Sequence, residues 1–191
     1  MRKLVATLFA SLDGYASDAP DEQMLWVTDG MGEQTSAFGL EQMRAADTLV
    51  LGRTTYESFA SYWPTAGEEE GGYTELINGI PKVVVSKSLR DEDVTWSNTR
   101  VARGDLAEEI GALKRQPGKD IGVSGSVELV GSLMDLGLLD RLQLQVHPVV
   151  LGPDGGKAIF DGYAKTDLQL MDTAILDDRV VVLDYQPKER T

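Results

Sequence analysis

Three short segments put glycine, hydroxyl or basic residues where an apolar run ends. Gly52-Arg53-Thr54 follows Thr48 to Leu51, Ser86-Lys87 follows Val83 to Val85, and Ser124-Gly125-Ser126, leading into Val127, follows Ile121 to Val123. In an open α/β sheet ligands bind beyond the carboxyl ends of the strands, so three such exits can line one crevice. Helices starting after Thr54 and Ser126 would aim free N–H groups and positive dipole ends at an anion. Arg53 and Lys87 would add full charges, and a phosphate-rich ligand is the chemistry this set suits. For any one exit alone the plainer reading is a turn that needs glycine and a helix that needs a Ser or Thr cap.

Other chemistries are removed by composition. The 191 residues include no cysteine and one histidine, which excludes thiolate nucleophiles, disulfides, Cys-based zinc sites and multi-histidine metal sites, so no metal is expected. His147, in a strand-like stretch beside Pro148, reads as a structural residue. Neither G-x-G-x-x-G after a strand nor G-x-x-x-x-G-K-[ST] occurs, so an ordinary Rossmann domain or P-loop is not expected. A net charge of −13 repels a phosphate backbone, and no basic cluster offsets it, so nucleic acid is not an expected partner. Arg2-Lys3 followed by Leu4 to Ala10 loosely imitates a secretory signal, but seven apolar residues broken by Asp13 are too few. No run approaches a membrane span. A cytoplasmic, soluble protein with no membrane partner is expected.

The elements that must carry these exits read as alternating strands and helices. Leu4 to Phe9 is a buried strand leaving into a turn at Asp13-Gly14; Glu33 to Ala46 is a helix, with Phe38 and Met43 on an apolar side. Thr54 and Glu57 have capping-box spacing ahead of Tyr56, Phe59, Ala60 and Trp63, which predicts a helix stopped at Pro64. Residues 65 to 80, with Gly67, Gly71, Gly72, Gly79 and Glu68-Glu69-Glu70, are expected as an exposed loop. Strands at 83–85 and 100–102 precede a helix capped by Asp105 with Glu108, bearing Leu106, Ile110 and Leu113 and ended by Pro117-Gly118. After the 121–123 strand comes a helix with Val127, Val130, Leu133 and Met134 inward. Leu142, Leu144 and Val146 alternate with Gln143 and Gln145, predicting a strand with one wetter face that resumes at Val149 to Leu151 past Pro148. Gly152 to Gly156 is a glycine-rich loop, and 173–176 with 179–185 form a hairpin turning at Asp177-Asp178. The sum is one α/β domain over 1–191, a mainly parallel central sheet flanked by helices with a C-terminal antiparallel hairpin.

Leu51-Gly-Arg-Thr-Thr-Tyr-Glu-Ser-Phe59 resembles the Gly-Arg-x-Thr-x-Glu-Ser signature of dihydrofolate reductases. Val83 to Leu89 is similar to that fold's strand ending in Ser-Arg or Ser-Lys, and Gly122 to Leu129 to its glycine turn. Ser11-Leu-Asp-Gly14, Gly137 to Leu142, His147 to Gly152 and Lys157-Ala-Ile-Phe160 resemble the reductase domain of bifunctional riboflavin-biosynthesis deaminase-reductases and their stand-alone relatives. The deaminase portion, whose zinc site needs cysteines, is not in this sequence.

The resemblance implies a single-domain dihydrofolate reductase-like fold and hydride transfer from NADPH to a small pyrimidinone- or pterin-like substrate. It implies that Gly52, Arg53, Thr54, Ser86 and Lys87 hold the adenosine phosphates, Arg53 and Lys87 selecting NADPH through its 2′-phosphate, and that Gly125, Ser126 and Val127 meet the pyrophosphate. Asp13 is a candidate substrate ligand, with a plain Asp-Gly turn as the alternative. Trp26 and Phe38 are candidates to stack on a planar substrate, with core packing as theirs. Dihydrofolate reductases carry a carboxylate on the helix before the Gly-Arg strand; here the matching stretch is Gln34-Thr-Ser-Ala-Phe38, flanked by Glu33 and Glu41. Dihydrofolate is therefore not the expected substrate, no catalytic acid is assigned, and a catalytically silent NADP-binding module is the alternative. A homodimer is expected by the resemblance.

Overall fold

The alternation of Leu4, Ala6, Leu8 and Ala10 with Val5, Thr7 and Phe9 gives the first strand two mainly apolar faces, as an interior strand requires. The computed structural model describes residues 1–17, 24–29, 31–67 and 72–188. Its elements are β1 (Leu4–Ser11), α1 (Leu25–Thr28), α2 (Glu33–Ala45), β2 (Ala46–Gly52), α3 (Arg53–Tyr62), α4 (Tyr73–Gly79), β3 (Lys82–Val85), β4 (Thr99–Ala102), α5 (Leu106–Arg115), β5 (Asp120–Val123), α6 (Val127–Asp135), β6 (Arg141–His147), β7 (Leu168–Leu176) and β8 (Val180–Pro187). They build one sheet in the order β4-β3-β2-β5-β1-β6-β8-β7. The strands from β4 through β6 are parallel, and β8 and β7 close that side as an antiparallel hairpin. This is the α/β architecture read from the sequence.

The chain steps from β1 toward β2 in one direction and from β5 toward β6 in the other. Right-handed crossovers then place α2 and α3 on one face and α5 and α6 on the opposite face. The packing agrees. Leu4, Ala6 and Leu8 bury with Ile110 and Leu113 of α5 and Val130, Leu133 and Met134 of α6. Met43, Tyr56 and Ile77, from α2, α3 and α4, bury with Leu49, Leu51 and Val84 on the other side. Asp105 caps α5, accepting from Glu108 N–H at 3.0 Å, as its spacing predicts.

Four expectations are corrected. Residues 73–79 form α4 rather than loop, because Tyr73, Leu76 and Ile77 supply an apolar side that packs into the second core; the Glu68-Glu69-Glu70 run and Gly71 lie outside the described residues. The Thr54–Glu57 capping box does not form, since β2 runs straight into α3 with Gly52 at the cap position and Glu57 turned toward Arg53. The face of β6 carrying Gln143 and Gln145 is buried, not wet: β1 and β8 flank it, and Gln143 donates to Asp184 of β8 at 3.1 Å. Finally, β6 ends at His147, and Val149 folds back to donate to the His147 carbonyl at 2.8 Å instead of extending the strand.

Lys82 opens β3 almost fully buried, its amine donating to the carbonyls of Ile80 (2.9 Å), Asn78 (3.0 Å) and Ser97 (3.3 Å) and lying 4.2 Å from the centre of the Trp96 ring. Among the described residues no carboxylate pairs with it, and burial pushes the amine from 10.5 down to about 8. Between those values the unfolded chain holds the proton and the folded chain releases it, so raising the pH favours folding. Urea denaturation should therefore show the native chain gaining stability relative to Lys82→Met from pH 8 to pH 10. Parallel pH dependences for the two proteins would contradict this account of the amine.

Candidate functional site

The order of parallel strands brings two of the three exits into contact. Gly52 ends β2 and its N–H donates to the carbonyl of Gly125, just past β5, at 2.9 Å. A Cβ on Gly52 would stand 2.8 Å from the Ser126 hydroxyl oxygen and 3.0 Å from its nitrogen, so only glycine lets the strands' exits approach this closely. Gly125, with φ of +107° and a cis peptide to Ser126, lies against Thr55 of the first turn of α3. The starts of α3 and α6, at Arg53 and Val127, thus converge. Neither has a side-chain cap. The contrast with α5, capped by Asp105, and α2, whose first N–H groups go to Asp177, is informative: the two helices at this junction keep their first-turn N–H groups for something else.

The third exit lies beside them, because Gly52 pairs with Val85 and Val85 with Ala102. Ser86 is buried, and its hydroxyl oxygen accepts from Leu89 N–H (2.9 Å) and Ser88 N–H (3.2 Å), holding the turn that exposes Lys87. Arg53 and Thr54 are exposed, Arg53 lying 3.3 Å from Glu57. Sequence reasoning passed over Arg103. It follows β4 as Lys87 and Arg53 follow their strands, and its guanidinium donates to the Leu89 carbonyl and to Asp91, both at 2.7 Å. A basic residue closing a short strand was the available signal.

A cleft of about 130 Å³ adjoins this junction on the α2 face of the sheet. Its floor includes Val5, Thr7 and Phe9 of β1, Gly122 and Ser124 around the end of β5, and Gln145 of β6; Gly39, Gln42 and Met43 of α2 form a wall. That wall is uncharged, and Glu33 and Glu41 of the same helix are exposed. Asp120, at the start of β5, is the one acid among the described lining residues.

Asp13, Trp26 and Phe38 stand outside that lining. Both Asp13 oxygens are engaged, accepting from Ser11 Oγ (2.7 Å), Leu151 N–H (3.2 Å) and Gly152 N–H (2.8 Å), so the carboxylate ties the exit of β1 to the loop after β6. These bonds, the one from Gly152 foremost, hold its pKa below the usual value. Phe38 packs on Leu176, Val180 and Val182 of the hairpin. Trp26 stands edge-on to His147, ring centres 5.2 Å apart. His147 is buried as a structural histidine would be, and burial, aided by Arg179, pushes it down to about 4, so it is neutral near pH 7.

A family model described as the RibD C-terminal domain matches residues 2–182. The chain belongs to that family. It is 28% identical over 188 residues to the uncharacterized protein YyaP of Bacillus subtilis, covering 96% of this chain and 94% of that one. Among solved structures, a putative riboflavin biosynthesis protein from Shewanella sp. PV-4 superposes with a TM-score of 0.79 at 19% identity, covering 98% and 99% of the two chains. Dihydrofolate reductase from Enterococcus faecalis, complexed with NADP(H), superposes with a TM-score of 0.61 at 13% identity, covering 98% and 97%. The dihydrofolate reductase-like fold is thereby shown.

In this RibD C-terminal domain no described helix is long and apolar enough to cross a membrane. The junction of β2, β5 and their two helices offers a direct test. Gly52→Ala must push its methyl group into Ser126, which can move only with the start of α6. Melting temperature should fall, and the effect should be larger than that of Gly67→Ala, where nothing lies within 4 Å of the added carbon. Equal melting curves for the two variants would mean the junction is not close-packed.

Proposed function

We propose that this protein is an NADPH-dependent oxidoreductase that transfers hydride to a small heterocycle, pyrimidinone-like or pterin-like, and is not an efficient dihydrofolate reductase. The observation that supports this most is the convergence of two uncapped helix starts, α3 and α6, beside a cleft over β1 and β5. Their N–H groups, with close backbone approach at Gly52, Gly125 and Ser126, fit a pyrophosphate. Arg53, Thr54 and Lys87, with Ser86 setting the turn, would meet the adenosine phosphates, and Val127 contributes its position at the first turn of α6. The nicotinamide, when bound, supplies the hydride.

The chain's own work is to hold ring and cofactor face to face and to keep water out. Phe9, Met43 and Phe59 make the cleft largely apolar. With no carboxylate on the cleft side of α2, the proton that accompanies reduction comes from water or from the substrate itself. The same feature favours a second reading, a module that binds the cofactor without turnover. Asp13, Trp26 and Phe38 enter the proposal as supports of the cleft: the first ties two loops, the second packs on His147, the third fastens α2 to the hairpin. A cytoplasmic homodimer is part of the proposal, since Leu170, Met171, Ile175 and Val181 leave the hairpin with an exposed apolar side.

Removing the two cations tests the assignment. Arg53→Ala combined with Lys87→Ala should weaken NADPH by about tenfold or more while changing NADH little, as read by quenching of tryptophan emission. Equal losses for both cofactors would refute the 2′-phosphate contact. NADPH that binds but is never oxidised across pyrimidinone, pterin and quinone substrates would decide for the silent module.

A further inference from the structure

Gln145 is 3% exposed, faces the cleft from β6, and makes no side-chain hydrogen bond among the described residues; its Oε1 is buried without a partner. Such a group is costly, since a buried amide that gives up water and finds no partner loses on the order of 1–3 kcal/mol. Its neighbour Gln143, two residues earlier on the same face, shows the ordinary solution, donating to Asp184 and lying 3.2 Å from the Thr7 hydroxyl. Gln145 instead sits between Phe9 of β1 and Val182 of β8, which offer it nothing.

The surroundings also exclude charge. Two residues further along, His147 is 1% exposed, and both its ring nitrogens are without partners. Asp120, the acid of the lining, lies level with Lys3 on β1, whereas Gln145 lies level with Phe9. Six residues of strand separate those levels, roughly 20 Å. A cation bound beside Gln145 would therefore be desolvated without a counter-charge, whereas a neutral ring would not.

We propose that Gln145 is the specificity-determining residue of the cleft, its carboxamide pairing through one donated and one accepted hydrogen bond with an uncharged N–H/C=O edge of the bound ring, so that rings which must bind as cations are rejected. A carboxamide presents one donor side and one acceptor side whichever way it is turned, and an amide-type edge is its complement. The inference rests on the cleft being the substrate site proposed above.

The test compares uracil, which carries such an edge, with 2,4-diaminopyrimidine, which binds carboxylates as a protonated amidine. Affinities are measured by calorimetry for the native chain, Gln145→Leu and Gln145→Glu. The native chain should prefer uracil by about tenfold or more, Gln145→Leu should lose that preference, and Gln145→Glu should reverse it. In the native chain uracil should also shift the Gln145 side-chain amide resonances, a reading that stands even if a variant fails to fold. Unchanged resonances, uracil affinity in a folded Gln145→Leu within twofold of native, or no uracil binding at millimolar concentration would each overturn the proposal. NADPH binding in the same samples separates the two ideas. Uracil selectivity that depends on Gln145 without NADPH binding would sink the reductase reading alone, and NADPH binding with indifferent Gln145 variants would sink this one alone.

Discussion

The cleft exists because α2 is fastened at its beginning by a residue 142 positions away in sequence. Thr35 N–H and Oγ1 donate to one Asp177 oxygen at 2.9 and 2.6 Å, Gln34 N–H donates to the other at 3.0 Å, and Gln34 returns a bond by accepting from Asp177 N–H at 2.7 Å. The cap position of α2 is Gly32, and a Cβ there would lie within 2.7 Å of both carboxylate oxygens. The hairpin turn does what a Ser or Asp at the cap would ordinarily do. Because Asp177 and Asp178 both take positive φ, 52° and 54°, the two-residue turn is tight enough to hold the carboxylate in place. Phe38, one turn further along the helix, then packs on Leu176, Val180 and Val182. The wall formed by Gly39, Gln42 and Met43 is therefore set by the far end of the chain. The Thr35 hydroxyl, foremost among these bonds, holds the Asp177 carboxyl below its usual value, so the clasp is intact at neutral pH and is lost only as pH falls through that lowered value.

That clasp sharpens the contrast among helix starts. A helix whose first N–H groups are taken by a carboxylate has no anion site left to offer, and both α2 and α5 are closed in this way. The starts of α3 and α6 are left without a side-chain cap, and they are the two that meet where β2 and β5 end. Strand order brings this about: β5 enters the sheet between β1 and β2, so its exit lands against an exit formed some seventy residues earlier. The cleft beside them lies where a ring could be presented to whatever those helix starts hold.

Much of this was legible from local sequence. The apolar runs that became β1, β2, β3 and β5 are dense enough to be buried on both faces, and Asp105 with Glu108 marks a cap that forms as written. The alternating segments around Asp177-Asp178 gave the hairpin. What was not legible depended on distant partners. Thr54 and Glu57 have the spacing of a capping box, yet a strand running directly into the helix leaves glycine at the cap. Gln143 reads as a solvent-facing residue until Asp184 arrives from β8 to satisfy it. Gln34 and Thr35 sit where an acid is absent, and nothing nearby in sequence says that they serve Asp177. Gln145 was visible only as the polar half of an alternation, since a missing hydrogen bond has no sequence signature.

The net charge of −13 takes on a local meaning in this frame. Cations around the exits are already held by carboxylates: Arg53 by Glu57, Arg103 by Asp91, Lys157 by Glu128 in the first turn of α6. Exposed pairs of this kind contribute little to stability and are screened by salt. A phosphate arriving here exchanges one anion for another instead of meeting bare charge, and the displaced Glu57, Asp91 and Glu128 return to water. Affinity for a polyanion then rests on what the carboxylates cannot match, namely the uncapped N–H groups of α3 and α6 and the close backbone approach that Gly52 and Gly125 permit. Selectivity between ligands differing by one phosphate rests instead on the exchangeable cations. An acidic molecule can in this way hold a polyanionic cofactor tightly at one spot while repelling nucleic acid over the rest of its surface.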